Sequence, residues 1–342
     1  MQWHCGFAMN RPLTPSLTAV ELSPNGFLPL LIVILLLISK NLSRARLRLG
    51  LRLGACRRRL AAGLNSMAVT PSLSPKWGRG GRRSGEGRSV PMHAKNESGC
   101  SMKLSVIIPA FNEAKSIGNC LQHLSSALRA NARSDLESEI IVVDNNSTDA
   151  TAEIARNLGA RVLFEPINQI ARARNAGASV ATGDFLLFVD ADTHVSSGTL
   201  AEMLTVIDTT TCVGGGALLR YHKPDLAARC FLLLSNPIVR CLKLTPGCFI
   251  FCRGEVFRAL GGFSQEMFAG EDADFGWRLR RWSRARGLRM KILRACPPVT
   301  SLRKVELYGW KELLVLIARW VLFPRRTARD KSRLRVFYDG RR

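Results

Sequence analysis

The chain reads as an α/β protein built on a mostly parallel central sheet flanked by helices, preceded by an extension of about a hundred residues with no globular pattern. Three observations predict this. From residue 102 onward, short runs of Val, Ile, Leu and Phe alternate with segments of helical periodicity, the order that β-α-β units require. The runs are apolar at successive rather than alternate positions, as in "FLLFV" (185–189), which marks strands buried on both faces of a parallel sheet. The first part has no such alternation and is strongly basic: residues 1–102 carry 15 Lys/Arg against 3 Asp/Glu, whereas residues 103–342 carry 35 against 23.

Residues 1–101 are expected to be a low-complexity basic extension. Its apolar run "LPLLIVILLLIS" (28–39) is shorter than the roughly 20 residues that span a bilayer. Its basic residues follow the run, whereas those of a signal peptide precede it. "SPKWGRGGRRSGEGRS" (74–89) has the composition of a disordered segment. Two readings stand: an N-terminal anchor that leaves everything after it on the cytoplasmic side, or an over-extended start, with the working protein beginning at Met102. A compact domain is expected over 102–303 and a basic, amphipathic tail over 304–342.

The domain opens with the strand "LSVIIP" (104–109). "EAKSIGNCLQHLSSAL" (113–128) puts Ile117, Cys120, Leu121, Leu124 and Leu128 on one helical face at three-and-four spacing. "EIIVVD" (139–144) is the second strand, and "NNSTDATAEIARNLG" (145–159) runs from cap-forming polar residues to Gly159, as a helix of about three turns does. "ARVLFE" (160–165) is the third strand, "QIARARNAGASVATG" (169–183) the third helix and "DFLLFVD" (184–190) the fourth strand. "SSGTLAEMLTVI" (196–207) reads as a helix, and "CVGGGALLRY" (212–221) as a strand whose glycines permit close backbone approach. "DLAARCFLLLSNPIVRCLKL" (225–244) is an apolar helix, read as core, with a lipid-facing border as the alternative.

The net charge of +24 fits either nucleic acid or an anionic membrane surface. No zinc-finger spacing or RNA-binding aromatic signature accompanies it, so nucleic acid is not an expected partner. The ten cysteines include no CxxC pair, and so long and core-rich a chain needs no disulfide framework, which points to a reducing, cytosolic setting. Cys248 and Cys252 find no His or third Cys to complete a metal site and are read as strand packing.

The fourth strand ends in Asp190 and Asp192. Open α/β sheets bind ligands at the C-terminal ends of their strands. Two carboxylates one residue apart suit a hard divalent cation bridging to substrate phosphates, although Asp also favours plain strand-to-turn exits.

Four blocks, "LSVIIPAFNEA", "EIIVVDNNSTDAT", "ARARNAGASVATGDFLLFVDADT" and "GEDADFGWRLRRW", in order and at matching spacing, resemble the inverting family 2 glycosyltransferases with the GT-A fold, over about 103–303. The resemblance implies a Rossmann-like nucleotide-binding half followed by an acceptor half. It implies a donor pocket formed by Pro109, Ala110, Asn112 and Glu113 after the first strand and by Asp144 and Asn145 after the second. Asn145 departs from the family's frequent second Asp, which leaves the base open, since an amide donates as well as accepts. Of Arg172 and Arg174, Arg174 is taken for the nucleotide-sugar site. Asp190 and Asp192 match the family's DxD element and would hold Mg2+ or Mn2+ against the donor diphosphate, Asp192 more directly. Asp272 matches the general base, and a single base fits direct displacement with inversion. The implied partners are a UDP- or GDP-linked sugar and a lipid-linked or glycan acceptor, as in cell-envelope polysaccharide synthesis.

The tail "LYGWKELLVLIARWVLFPRR" (307–326) carries Trp310, Leu313, Leu314, Ile317, Trp320 and Val321 at helical spacing. Residues 303–342 hold 12 Lys/Arg against 4 Asp/Glu. Peripheral membrane contact on the cytoplasmic face and a closing core helix are both open. Two other functions compete: a nucleotidyltransferase, although "PAFNEA" lacks its Gly-rich basic phosphate loop, and a catalytically inactive carbohydrate- or membrane-binding protein on the same fold.

Overall fold

The structure, a computed structural model, describes residues 101–209, 211–322 and 324–338. The expectations for residues 1–100 lie outside the described residues. Strand β1 (Met102–Ala110), helix α1 (Ile117–Ala130), β2 (Leu136–Asp144), α2 (Thr151–Asn157), β3 (Arg161–Phe164), α3 (Ile170–Val180) and β4 (Phe185–Val189) follow in strict alternation. Then come β5 (Thr193–His194), α4 (Ser197–Ile207), β6 (Cys212–Ala217), β7 (Arg220–Tyr221), α5 (Leu226–Leu242), β8 (Phe249–Arg253) and α6 (Gly254–Ala259). Helix α7 (Glu271–Arg284), β9 (Arg289–Leu293) and β10 (Val299–Thr300) complete the sheets, and α8 (Arg303–Leu322), α9 (Pro324–Arg329) and α10 (Arg335–Tyr338) follow.

The main sheet has seven strands in the order β3-β2-β1-β4-β8-β6-β9. Neighbours run parallel except at β8, which lies antiparallel to both β4 and β6. Successive β1 side chains alternate between two cores, as strand geometry dictates. Val106 and Ile108 pack with Cys120, Leu121 and Leu124 of α1 on one face, while Ile107 packs with Ala171 and Ala173 of α3 and with Phe188, Phe263 and Phe275 on the other. Close backbone approach on β6 takes an exact form at Gly215, where a Cβ would lie 1.7 Å from the main-chain oxygen of Lys291 on β9. Cys252 is buried within β8, and Cys248 is buried just before it.

Three local features differ from expectation. The second helix is shorter, because residues 145–150 are held as a loop. Asn146 adopts φ 67°, Ser147 N donates to Asp144 Oδ1 (3.0 Å) and Thr148 N donates to Asn112 Oδ1 (2.8 Å). The "CVGGGALLRY" segment splits into β6 and β7, with β7 in a separate three-stranded sheet of order β5-β10-β7. Helix α5, read as core, is largely a surface helix: Leu226 and Leu233 are 78% and 75% exposed, while Ala228 and Val239 are buried.

The tail helix α8 is kinked at Gly309 (φ 74°). Its buried Leu316 packs with Leu334, Val336, Phe268 and Tyr338, whereas Val315 and Leu322 stay exposed. Pro324 opens a short helix, since its missing N–H costs nothing at a first helical position. Among the described residues no helix is long and apolar enough to cross a membrane.

Candidate active site

A cavity opens at the C-terminal ends of β1, β2 and β4. It brings together Pro109, Ala110, Glu113, Asn145, Arg174, Asp190, Asp192 and Asp272, drawn from all four sequence blocks. Asp190 and Asp192 leave β4 in a turn closed by Thr193 N donating to Asp190 O (2.9 Å). Strand β5 follows at once and pairs antiparallel with β10, Thr193 opposite Thr300. That pairing delivers residues more than a hundred positions away: Ser301 Oγ donates to Asp192 Oδ2 (2.6 Å), and Arg303 Nη2 lies 3.5 Å from the same oxygen. Arg303 also grips both oxygens of Glu113, each at 2.7 Å.

Arg174 is 1% exposed and joins the two ends of the cavity. Its Nη2 donates to Asp190 Oδ1 (2.9 Å) and to Gly247 O (3.0 Å), and its Nη1 donates to Glu271 Oε1 (2.7 Å). Burial works against this guanidinium's charge, but Asp190, Glu271 and Asp272 more than offset it and hold it firmly protonated. Arg172 pairs instead with Glu165 at the protein's edge (3.0 Å). Burial raises the Asp190 carboxyl, with Arg174 opposing and Asp192 reinforcing. Glu271 is pushed up to about 7, by burial first and by the neighbouring Asp272 second, again against Arg174.

Asp272 sits in the first turn of α7, where the helix dipole favours a carboxylate. Thr245 Oγ1 donates to the Asp272 carbonyl (2.7 Å) and pins this turn. Asp274 pairs with Arg278 (2.7 Å) along the helix and stays out of the cavity lining. Gly247 separates the two ends: a Cβ there would lie 2.9 Å from Arg174 Nη2 and 3.1 Å from Asp272 Oδ2. Any side chain would push into the space between the base candidate and Arg174.

The carboxylate pair fits a divalent cation of the kind that is completed by substrate. Both residues are hard oxygen donors facing the cavity, and Asp190 has one oxygen engaged by Arg174. Among the described residues no cluster of three or more His, Cys, Asp or Glu could cage a metal unaided. A cation here would draw its remaining oxygens from phosphate and water.

Several residues stand differently from expectation. Asn112 and Asp144 do not line the cavity, because their carboxamide and carboxylate oxygens accept from Thr148 N and Ser147 N and fix the 145–150 loop. Asn145 lines it, but its amide is spent on a neighbouring loop: Nδ2 donates to Glu165 O (3.2 Å) and Ile167 O (2.6 Å), and Oδ1 accepts from Gln169 N (2.8 Å). An aspartate could not make those two donations, which accounts for the departure noted in the sequence. Sequence reasoning missed Arg303, Lys304, Phe268 and Tyr338, all of which line the cavity. The boundary expected between 303 and 304 falls between two of them.

The model of the family described as "Glycosyl transferase family 2" matches residues 105–248. Residues 105–248 belong to glycosyltransferase family 2. The chain is 29% identical over 181 residues to "Glycosyltransferase AglE" of Haloferax volcanii, covering 49% of this chain and 58% of that protein. It is 30% identical over 207 residues to "Pre-mycofactocin glycosyltransferase" of Mycobacterium tuberculosis, covering 55% of this chain and 41% of that protein. The match thus spans about half the length of these relatives. A solved structure, a mannosyltransferase from Pyrobaculum calidifontis in complex with GDP-Man and Mn2+, superposes with a TM-score of 0.51 at 21% identity, over 66% of this chain and 63% of that one. The shared architecture is the GT-A fold.

Proposed function

We propose that the chain is a metal-dependent, inverting glycosyltransferase that moves a sugar from a UDP- or GDP-linked donor to a hydroxyl of a lipid-linked or glycan acceptor. The observation that carries this reading is the arrangement of Asp190, Asp192 and Asp272 around one cavity, with the buried Arg174 bonded to Asp190 and to Glu271, the neighbour of Asp272. In this reading Asp190 and Asp192 would hold Mg2+ or Mn2+, and the ion would supply Lewis-acid stabilisation of a diphosphate leaving group. Pro109, Ala110 and Asn145 shape the nucleoside end of the cavity. Asp272 takes the proton from the acceptor hydroxyl as its oxygen bonds to the anomeric carbon, and the bond from that carbon to the diphosphate breaks on the opposite side. A single protein base suffices for this displacement, because a diphosphate is a stable anion on leaving. Arg174 opposes the effect of burial on Asp190, orients it and ties it to the turn that presents Asp272. The basic C-terminal segment supports work at the cytoplasmic face of a membrane, in peripheral contact.

The test separates the two kinds of carboxylate. Asp192→Asn should weaken Mn2+-dependent binding of UDP or GDP, measured by calorimetry, and turnover together. Asp272→Asn should leave nucleotide binding near wild type while turnover falls about 10²-fold or more. Near-normal turnover in the Asp272 variant would remove that residue from the mechanism, and no nucleotide binding by the wild type would remove the reading itself.

A further inference from the structure

Helix α5 presents an exposed stripe that no reading of the reaction uses. Leu226 and Leu233 stand 78% and 75% exposed, two turns apart. Arg229, Pro237 and Arg240 are exposed on the same side of the helix. Two leucines so exposed on one face, with Pro237 between them and Arg240, make a patch rather than a scattered single side chain. Helix α8 lies against α5 through Trp310, whose ring centroid is 6.0 Å from that of Phe231 and whose Nε1 donates to Asp225 Oδ2 (3.3 Å) at the start of α5. Beyond its kink α8 repeats the pattern, with Lys311, Val315, Arg319 and Leu322 exposed at intervals of four, four and three. On each helix, leucine or valine side chains alternate with arginine or lysine; the α5 stripe holds no acidic residue, and the α8 stripe, with its two cations Lys311 and Arg319, is flanked by the exposed Glu312.

We propose that α5, with α8 beside it, lies in the interface of a membrane that carries anionic lipid. The leucines and Val315 enter the acyl boundary while Arg229, Arg240, Lys311 and Arg319 meet lipid phosphates. Charge complementarity selects this occupant. A protein groove would bury the four cations against matching carboxylates, whereas a bilayer surface takes the apolar groups and leaves the cations hydrated at the phosphates. The inference builds on the peripheral contact proposed for the tail and assigns its surface, independently of the chemistry in the cavity.

The full chain is tested with vesicles of phosphatidylcholine, with and without phosphatidylglycerol, carrying the photoreactive residue p-benzoylphenylalanine in place of Leu233, of Val315 or, as a control on α2, of Glu153. The expected result is a lipid adduct at 233 and 315 but not at 153, in vesicles containing phosphatidylglycerol. The double variant Leu226→Ser/Leu233→Ser should fold with an unchanged Tm and partition about tenfold or more weaker. A chain that binds vesicles without a lipid adduct at 233 overturns the proposal and leaves the tail's contact standing. An adduct at 233 to a second copy, or to residues 28–39 of the same chain, overturns it in favour of a protein occupant, and absence of vesicle binding overturns both.

Discussion

Replacing Arg174 by Met removes a cation and nearly nothing else in volume, because Met is unbranched and adapts to irregular space. What it leaves behind sets the magnitude. Glu271 and Asp190 lose donors at 2.7 and 2.9 Å, and the Gly247 carbonyl loses one at 3.0 Å. Removing one partner of a buried ion pair typically costs about 3–5 kcal/mol, since a charge stays buried without its partner. The pH dependence sharpens the test. Even with Arg174 in place, Glu271 titrates at about 7 rather than at the ordinary 4.5. A carboxyl raised in this way binds more protons folded than unfolded, so its contribution to stability falls as pH rises from 4.5 toward 7. That span corresponds to roughly 3 kcal/mol. Without Arg174, which opposes the rise, both carboxyls move higher still. The variant's deficit should therefore be small near pH 5, where protonation substitutes for the lost cation, and approach its full size near pH 8 (about three units apart). Urea unfolding of wild type and Arg174→Met at both pH values measures it. A deficit below about 1 kcal/mol at the higher pH, or one equal at both, would refute the claim that Arg174 neutralises buried carboxylates. Arg174→Lys should recover only part of the loss, because a point charge cannot span three acceptors.

Gly215→Ala would drive a methyl group into the Lys291 carbonyl, 1.7 Å from the new Cβ. It should cost at least about 3 kcal/mol, read as a lowered urea midpoint or loss of soluble protein. Phe263→Ala should cost about 3–5 kcal/mol by the same measurement, since its ring packs 5.0 Å from Phe188 and 4.8 Å from Phe275. A double-mutant cycle of Glu113→Gln and Arg303→Gln should give a coupling energy of at least about 1 kcal/mol for so close and partly buried a pair, and a value near zero would show that the contact contributes nothing.

The parts of the fold that rest on local pattern were legible before the structure. Continuous apolar runs placed β1, β2 and β4, and Ser196 marked the start of α4, where its side chain accepts from Thr199 N (3.1 Å). The parallel run β3-β2-β1-β4 followed from strict alternation. What the sequence could not show is where partners arrive from afar. Nothing around "SLRKV" signals that Arg303 meets Glu113, 190 positions earlier, because the contact depends on two-residue strands too short to carry a period. The roles of Asn112 and Asp144 diverged for a related reason. Their short polar side chains serve a turn as readily as a ligand, and only the loop's actual path decides between the two. Helix α5 was misjudged because apolar content alone does not say which flank meets a core.

The three-stranded sheet has a temporal consequence. Asp192 waits for Ser301, 109 residues further on, and Glu113 waits for Arg303. Loops of that length close slowly, after the nearer strands have joined. During synthesis the strands from β1 to β4 can assemble and form a cleft at their C-terminal ends while the carboxylates at its mouth still lack their neighbours. The cavity therefore becomes complete only once the ribosome has delivered residues 299–303, so a prematurely released chain would hold the cleft without the groups that order it.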